Sequence, residues 1–135
     1  MAKKELTALV DAARKARENA YSPYSGVKIG AAVLTSDGSV YTGANIENVS
    51  YGLSCCAERT AIFKAVSEGK VKILAIAVVG KSEQFTRPCG ACRQVMVEFN
   101  PAMTVMMRGT DGFAEDAAAE SLLPASFNPP ELSKR

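Results

Sequence analysis

Three consecutive segments decide the fold: VKILAIAVV at residues 71–79, PCGACRQVMVEF at 88–99 and MTVMM at 103–107. The first is a nearly unbroken aliphatic run, which predicts a strand buried on both faces. The second opens with Pro88, Cys89 and Gly90 and then meets no breaker, so a helix is expected to about Phe99. The third is an apolar strand ending at Gly109. Strand, helix, strand in this order predicts parallel neighbours joined by a right-handed crossover.

Working outward, residues 56–67 lack Gly and Pro and predict another helix, stopped at Gly69. Before it, residues 27–35 and 39–46 are β-prone runs joined by Ser36, Asp37 and Gly38, a turn that makes them an antiparallel hairpin. Leu6, Leu9, Val10, Ala13 and Ala16 recur at spacings of three and four, which predicts an amphipathic helix over about 3–20 packed on one face of the sheet. Residues 21–26 end it. The expectation is an α/β fold, a single three-layer α/β/α domain over 1–127 whose mixed sheet combines the N-terminal hairpin with parallel strands. Residues 114–123 fit strand and helix equally. From Asn128, Pro129 and Pro130 onward periodicity vanishes, so 128–135 is expected to be a tail, loose or docked on a neighbour.

Composition narrows the function classes. A chain of 135 residues suits one core, and a net charge of +2 with both signs dispersed lacks the basic stripe that phosphate backbones require. Nucleic acid is therefore not expected as a partner. Lys3, Lys4 and Glu5 precede no secretory-type apolar core, and no apolar stretch approaches the ~20 residues of a membrane span, so a cytoplasmic protein without membrane partners is expected. In a reducing compartment Cys55, Cys56, Cys89 and Cys92 read as metal ligands or reactive thiols. Histidine is absent, so hydrolytic chemistry here must run on carboxylates, thiolates and a metal.

Cys89 and Cys92 stand one helical turn apart at a helix start, a pattern shared by tetrahedral metal sites and by thioredoxin-type disulfides. Cys56 favours the metal, because it lies at a second predicted helix start and redox chemistry needs no third thiol. Three protein ligands leave the fourth position of zinc for water, the mark of a catalytic site. A closed structural site completed by Cys55 is the alternative, although Cys55 is more simply a small apolar residue. Glu58, two positions after Cys56, can exchange protons with a bound water, or merely complement the helix dipole. Three thiolates over-neutralise a dication, so the site needs positive potential: two helix N-termini of about half a charge each, and Arg59 if it donates to a ligand sulfur instead of facing solvent.

Cys-Ala-Glu-Arg-Thr at 56–60 followed by Pro-Cys-Gly-Ala-Cys-Arg-Gln at 88–94 resembles the cytidine deaminase family in its small homotetrameric form. Supporting blocks run from Tyr24-Ser25 through Gly30-Ala31-Ala32 and Asn45-Ile46-Glu47-Asn48 to Leu122-Leu123-Pro124 and Phe127. The resemblance implies one zinc per subunit on Cys56, Cys89 and Cys92, with Glu58 taking a proton from the zinc-bound water as it attacks C4 of cytosine. Cytidine, and 2′-deoxycytidine with it, would be deaminated to the uridine nucleoside with release of ammonia, in pyrimidine salvage. It further implies that the Ala57 backbone N–H holds the base and that Asn45 and Glu47 bind the ribose. Tyr51 and Phe127 would reach neighbouring subunits' sites, making a homotetramer with composite active sites. Without the resemblance, Asn45 and Glu47 read equally as turn and surface residues, and Tyr51 and Phe127 as core.

One position departs from the family pattern. Where a phenylalanine usually packs on the pyrimidine, this chain has Val27, by default an ordinary strand residue, which offers less face contact and more room. A deaminase of a bulkier cytosine nucleoside, such as a nucleoside antibiotic or an N4-substituted cytidine, is the nearest alternative function. A non-catalytic zinc-stabilised interaction module is the alternative from another class.

Overall fold

The computed structural model describes residues 2–127; the expected tail at 128–135 lies outside the described residues. Its sheet has the order β2-β1-β3-β4-β5. β1 (Gly30–Thr35) and β2 (Val40–Ala44) form the expected hairpin, and β3 (Ile73–Gly80) pairs antiparallel with the other edge of β1. β3 and β4 (Thr104–Gly109) pair parallel across the helical crossover, whereas β5 (Ala114–Ala118) returns antiparallel along β4. The ambiguous segment is thus a strand followed by a 3₁₀ turn over Ala119–Leu122. Its Glu115 and Asp116 suit an edge, where charge discourages further pairing, and both meet arginines: Arg87 and Arg108.

Helices cover both faces. α1 (Lys3–Ala16) lays Leu9 and Ala13 on Ala32, Leu34, Ala75, Ala77, Val79 and Met106. α2 (Ala57–Ser67) and α4 (Gly90–Phe99) cover the opposite set, Ala31, Val33, Ile76, Val78, Val105 and Met107. This alternation is the period of two that a strand imposes, here apolar on both sides because both sides are buried. Burying a side chain such as Leu9 or Ile62, both nearly inaccessible, contributes about 2 kcal/mol each. No helix among the described residues is long and apolar enough to cross a membrane.

Three local features differ from expectation. α1 ends at Ala16 in a 3₁₀ turn at Arg17–Asn19, because Tyr21 leaves the helical path to pair with the chain after β2: Tyr21 N donates to Asn45 O at 2.9 Å and Glu47 N to Tyr21 O at 2.8 Å. β1 starts at Gly30, not at residue 27, so Val27 is a loop residue and the strand assignment is corrected. Its loop is held by a side chain instead of a ladder: Ile29 N donates to Asn45 Oδ1 and Asn45 Nδ2 donates to Val27 O, each at 2.8 Å. Between β3 and α4 lies a single-turn helix, α3 (Glu83–Thr86), that no periodicity announces.

Two glycines on paired strands set the spacing of the layers. A Cβ on Gly30 would collide with the Ala13 carbonyl and Arg17 backbone of the α1 side, and one on Gly43 would lie 2.6 Å from Ala61 N and 2.8 Å from Ala57 O of α2. Only a missing side chain lets both helices sit this close to the hairpin.

Candidate metal centre

Cys56 and Cys89 occupy equivalent places. Each is the N-cap of its helix, α2 or α4, with extended backbone at φ −71°, ψ 155° and φ −69°, ψ 168°. Two helix N-termini therefore converge with their free N–H groups and positive dipole ends toward the sulfurs. Cys92, buried in the first turn of α4, completes the group, and the three Sγ atoms all lie within 4.8 Å of one another. Cys56 Sγ to Cys89 Sγ is 3.7 Å and Cys89 Sγ to Cys92 Sγ is 3.5 Å. A tetrahedral ion with zinc–sulfur bonds of about 2.3 Å requires sulfurs about 3.8 Å apart. The donor set and its spacing fit one zinc ion with a fourth position left over.

Cys55 is not part of this cluster. It is partly buried in a short bridge with Ile46, exchanging backbone hydrogen bonds of 2.8 and 2.9 Å, and its sulfur receives the Thr60 hydroxyl at 3.6 Å. The four-thiolate arrangement is therefore absent among the described residues. Arg59 takes the role expected of it: Nη2 donates to Cys56 Sγ at 3.5 Å, while its buried Nε has no hydrogen-bond partner among the described residues.

Charge in the cluster is already arranged for a cation. Contact with the neighbouring thiols and with the Arg59 guanidinium holds the Cys56 thiol below its ordinary range. Its interaction with the Cys56 sulfur and its burial push the Cys92 thiol up, while Cys92 Sγ accepts from Cys89 Sγ. Glu58, the second residue of α2, is 4% exposed, and burial first and the Cys56 charge second raise its carboxyl to about 7. A carboxyl so placed is available both to take and to give a proton near neutrality.

Above the cluster opens a cleft of about 290 Å³, lined by Val27, Asn45, Glu47, Ala57 and Glu58 together with Cys56 and Cys89. Four residues expected to bind substrate, with Glu58 beside them, are thus gathered at the thiol cluster. Glu47 is organised before any ligand arrives: Oε1 accepts Tyr24 N at 3.0 Å and Ser25 N at 3.1 Å, and Oε2 accepts the Ser25 hydroxyl. The Ser25 hydroxyl, ahead of its backbone bonds, holds the carboxyl below its usual range. Tyr51 and Phe127 are not in this cleft. Tyr51, 77% exposed, stands edge-on to Tyr24 in an adjoining hollow that shares Glu47, and Phe127, 87% exposed, is tied to α4 by Gln94 Nε2 donating to its carbonyl at 3.0 Å. Neither is a core residue of this chain.

Three contributors escaped the sequence reading. Phe85 and Arg87 line the same cleft. Arg93 braces it from behind, donating from Nε to Pro88 O at 2.7 Å and from Nη1 to Leu122 O at 2.8 Å. The signal for Phe85 was a lone aromatic in a polar segment immediately before Pro88 and Cys89.

The sequence profile of the cytidine and deoxycytidylate deaminase zinc-binding region matches residues 3–108. A cytidine deaminase of Halalkalibacterium halodurans is 51% identical over 126 residues, which span 93% of this chain and 96% of that protein. A probable cytidine deaminase of Dictyostelium discoideum is 44% identical over 133 residues, 98% of this chain and 90% of that one. Among solved structures, cytidine deaminase from Burkholderia pseudomallei has a TM-score of 0.87 at 48% identity, covering 94% of this chain and all 100% of the other. The Mycobacterium tuberculosis cytidine deaminase has a TM-score of 0.78 at 37% identity over 90% of this chain and 96% of the other. Profile, relatives and fold agree along nearly the whole length, and the chain belongs to the cytidine and deoxycytidylate deaminase zinc-binding family.

Proposed function

We propose that the chain converts cytidine and water to uridine and ammonia, and accepts 2′-deoxycytidine in the same way. The observation that carries this reading is a buried Glu58 carboxyl at the floor of a nucleoside-sized cleft, beside three thiols spaced for one zinc ion. Zinc, when held there, acidifies a coordinated water and polarises it for attack. Glu58 is the proton carrier: its carboxylate accepts one proton from the attacking water and delivers it to ring N3, then accepts the second proton from the same oxygen as the C4 carbonyl forms and delivers it to the departing amine, which leaves as ammonia. A carboxyl near 7 suits both halves of that relay. The Ala57 N–H, unpaired at the start of α2, is assigned to hold the base. Asn45 is assigned to the ribose, since its NH₂ carries two hydrogens and one is used on Val27 O. Glu47, ionised and fixed by Ser25, accepts from a ribose hydroxyl.

The same reading makes the working unit a homotetramer formed by domains 1–127, in the cytoplasm and in pyrimidine salvage. The exposed Tyr51 and Phe127 support it, because large aromatic side chains left in water gain most from a partner's surface. A bulkier or N4-substituted cytosine nucleoside is the second reading, favoured by Val27 at the cleft wall.

Incubating purified protein with cytidine and following loss of the cytosine absorbance band, with zinc measured on the same sample, tests the function. One zinc per chain with turnover supports it. A full zinc complement without turnover of cytidine or an N4-acyl cytidine would leave a non-catalytic zinc module.

A further inference from the structure

Val27 leaves the cleft short of aromatic surface, and another residue in the same cleft offers it. Phe85 lies in α3, between β3 and the Pro88-Cys89 loop, and lines the cavity with Val27, Ala57, Glu58 and Cys89. It is 39% exposed, whereas Phe99 and Phe113 pack against the core formed with α2 and α4. An exposed ring on a loose loop would mean little. This segment is not loose.

The two residues that follow it are fixed. Thr86 is fully buried and donates from Oγ1 to Ser82 O at 2.6 Å. Arg87 is gripped by Glu83 at 2.7 Å and by both oxygens of Glu115 at 2.7 and 3.0 Å, with its guanidinium 5.7 Å from the centre of the Phe113 ring. Under the turn, Gly80 lacks the Cβ that would stand 2.8 Å from Thr86 Oγ1 and 3.1 Å from Phe85 O, so α3 settles directly on the end of β3. A rigid single turn thus presents an apolar ring to a cavity instead of folding it into the core. Holding such a ring in water forgoes the stabilisation of burial, and a planar apolar ligand restores it.

We infer that Phe85 is a specificity-determining residue that supplies the aromatic contact to the pyrimidine which Val27 does not. The inference rests on the cytosine-nucleoside reading of the site. A ring that lines the same cleft as a small residue at 27 defines the ligand class: a flat six-membered heterocycle packs on Phe85, while the space beside Val27 admits a substituent. Ring packing of this kind changes affinity roughly two- to tenfold.

The test compares the parent chain, Phe85→Ala, Phe85→Tyr and Phe85→Ala with Val27→Phe. Phe85→Ala should raise KM for cytidine several-fold with kcat, zinc content and Tm little changed. Phe85→Tyr keeps the ring and should keep KM near the parent value. Val27→Phe should recover most of what Phe85→Ala loses, because it returns a ring to the same cavity. An unchanged kcat/KM in Phe85→Ala would overturn the proposal, as would a loss accompanied by reduced zinc, which would make Phe85 a prop of the Cys89 loop. Calorimetric binding of cytidine to Glu58→Gln, with and without Phe85→Ala, separates this from the deaminase reading. Binding that weakens with the ring's removal upholds Phe85 even if the parent chain turns over nothing. Binding indifferent to the ring, or absent, sinks the Phe85 assignment whatever the turnover.

Discussion

Asn45 holds Val27 across 18 residues of chain, its Nδ2 donating to the Val27 carbonyl at 2.8 Å while Oδ1 receives the Ile29 amide at the same distance. The residue expected to meet the sugar therefore also shapes the wall of the cleft at Val27. Asn45→Ala should cost about 1–3 kcal/mol of stability for two hydrogen bonds, on top of at least a tenfold fall in kcat/KM. Chemical denaturation and cytidine kinetics on one preparation measure both. Lost activity with unchanged stability would reduce Asn45 to a sugar contact.

Glu58→Gln should keep zinc and fold and lose at least about 10² to 10⁴ in kcat, because an amide copies the shape of the carboxyl but cannot carry the proton. Since burial opposes the ionised form, the amide is also expected to raise Tm slightly. Near-parental turnover would remove Glu58 from the relay.

Cys89→Ala should behave differently in kind. Without one of three ligands the purified chain is expected to be zinc-poor, inactive and less resistant to heat, since metal bound only by the folded state adds to its stability. A chelator acting on the parent chain should reproduce all three effects. Metal analysis and thermal melts read the outcome, and full zinc occupancy in Cys89→Ala would point to another ligand.

The turn of the β1–β2 hairpin should carry a pH signature of its own. Asp37 accepts from Lys70 at 2.6 Å, Thr35 at 2.5 Å and Ser39 N at 3.1 Å, with Lys70 the largest of the influences that hold its carboxyl well below the usual range. A group depressed in the folded state stabilises it above its unfolded pKa, about 3.9, and that contribution fades as pH falls below that value toward the folded pKa. The parent should therefore exceed Asp37→Asn in stability at pH 7, the gap closing steadily below about pH 4. Denaturation curves across that range decide it; a gap independent of pH would mean the carboxylate charge is irrelevant.

The clustering of Cys56, Glu58, Cys89 and Cys92 was legible because each stands at a helix start, which local sequence encodes. Val27 was misplaced for the opposite reason. Its β-prone neighbours read as strand, yet the side chain that holds them is Asn45, beyond the reach of any local pattern. Residues 114–118 stayed ambiguous because Glu115 and Asp116 lower β-propensity, and only tertiary pairing with Arg87 and Arg108 makes a charged edge strand stable there. Phe85 was missed since one helical turn has no period to detect. Tyr51 and Phe127 were named only through family likeness, and their exposure explains why: a side chain left in water leaves no mark on the burial pattern of its own chain.

The paired glycines of the hairpin carry this further. Gly43 lies opposite Ala31 and Gly30 opposite Ala44, so the sheet is thinned on both faces at nearly one point, where α1 and α2 bear on it from opposite sides. The Ala57 carbonyl that would meet a Gly43 methyl belongs to the residue directly after Cys56. The hairpin is thus the datum against which the depth of the Cys56 end of α2 is gauged, and the spacing of the thiol cluster acquires a steric determinant that contains no polar atom. A single methyl on Gly43 would press on α2 at the backbone beside Cys56.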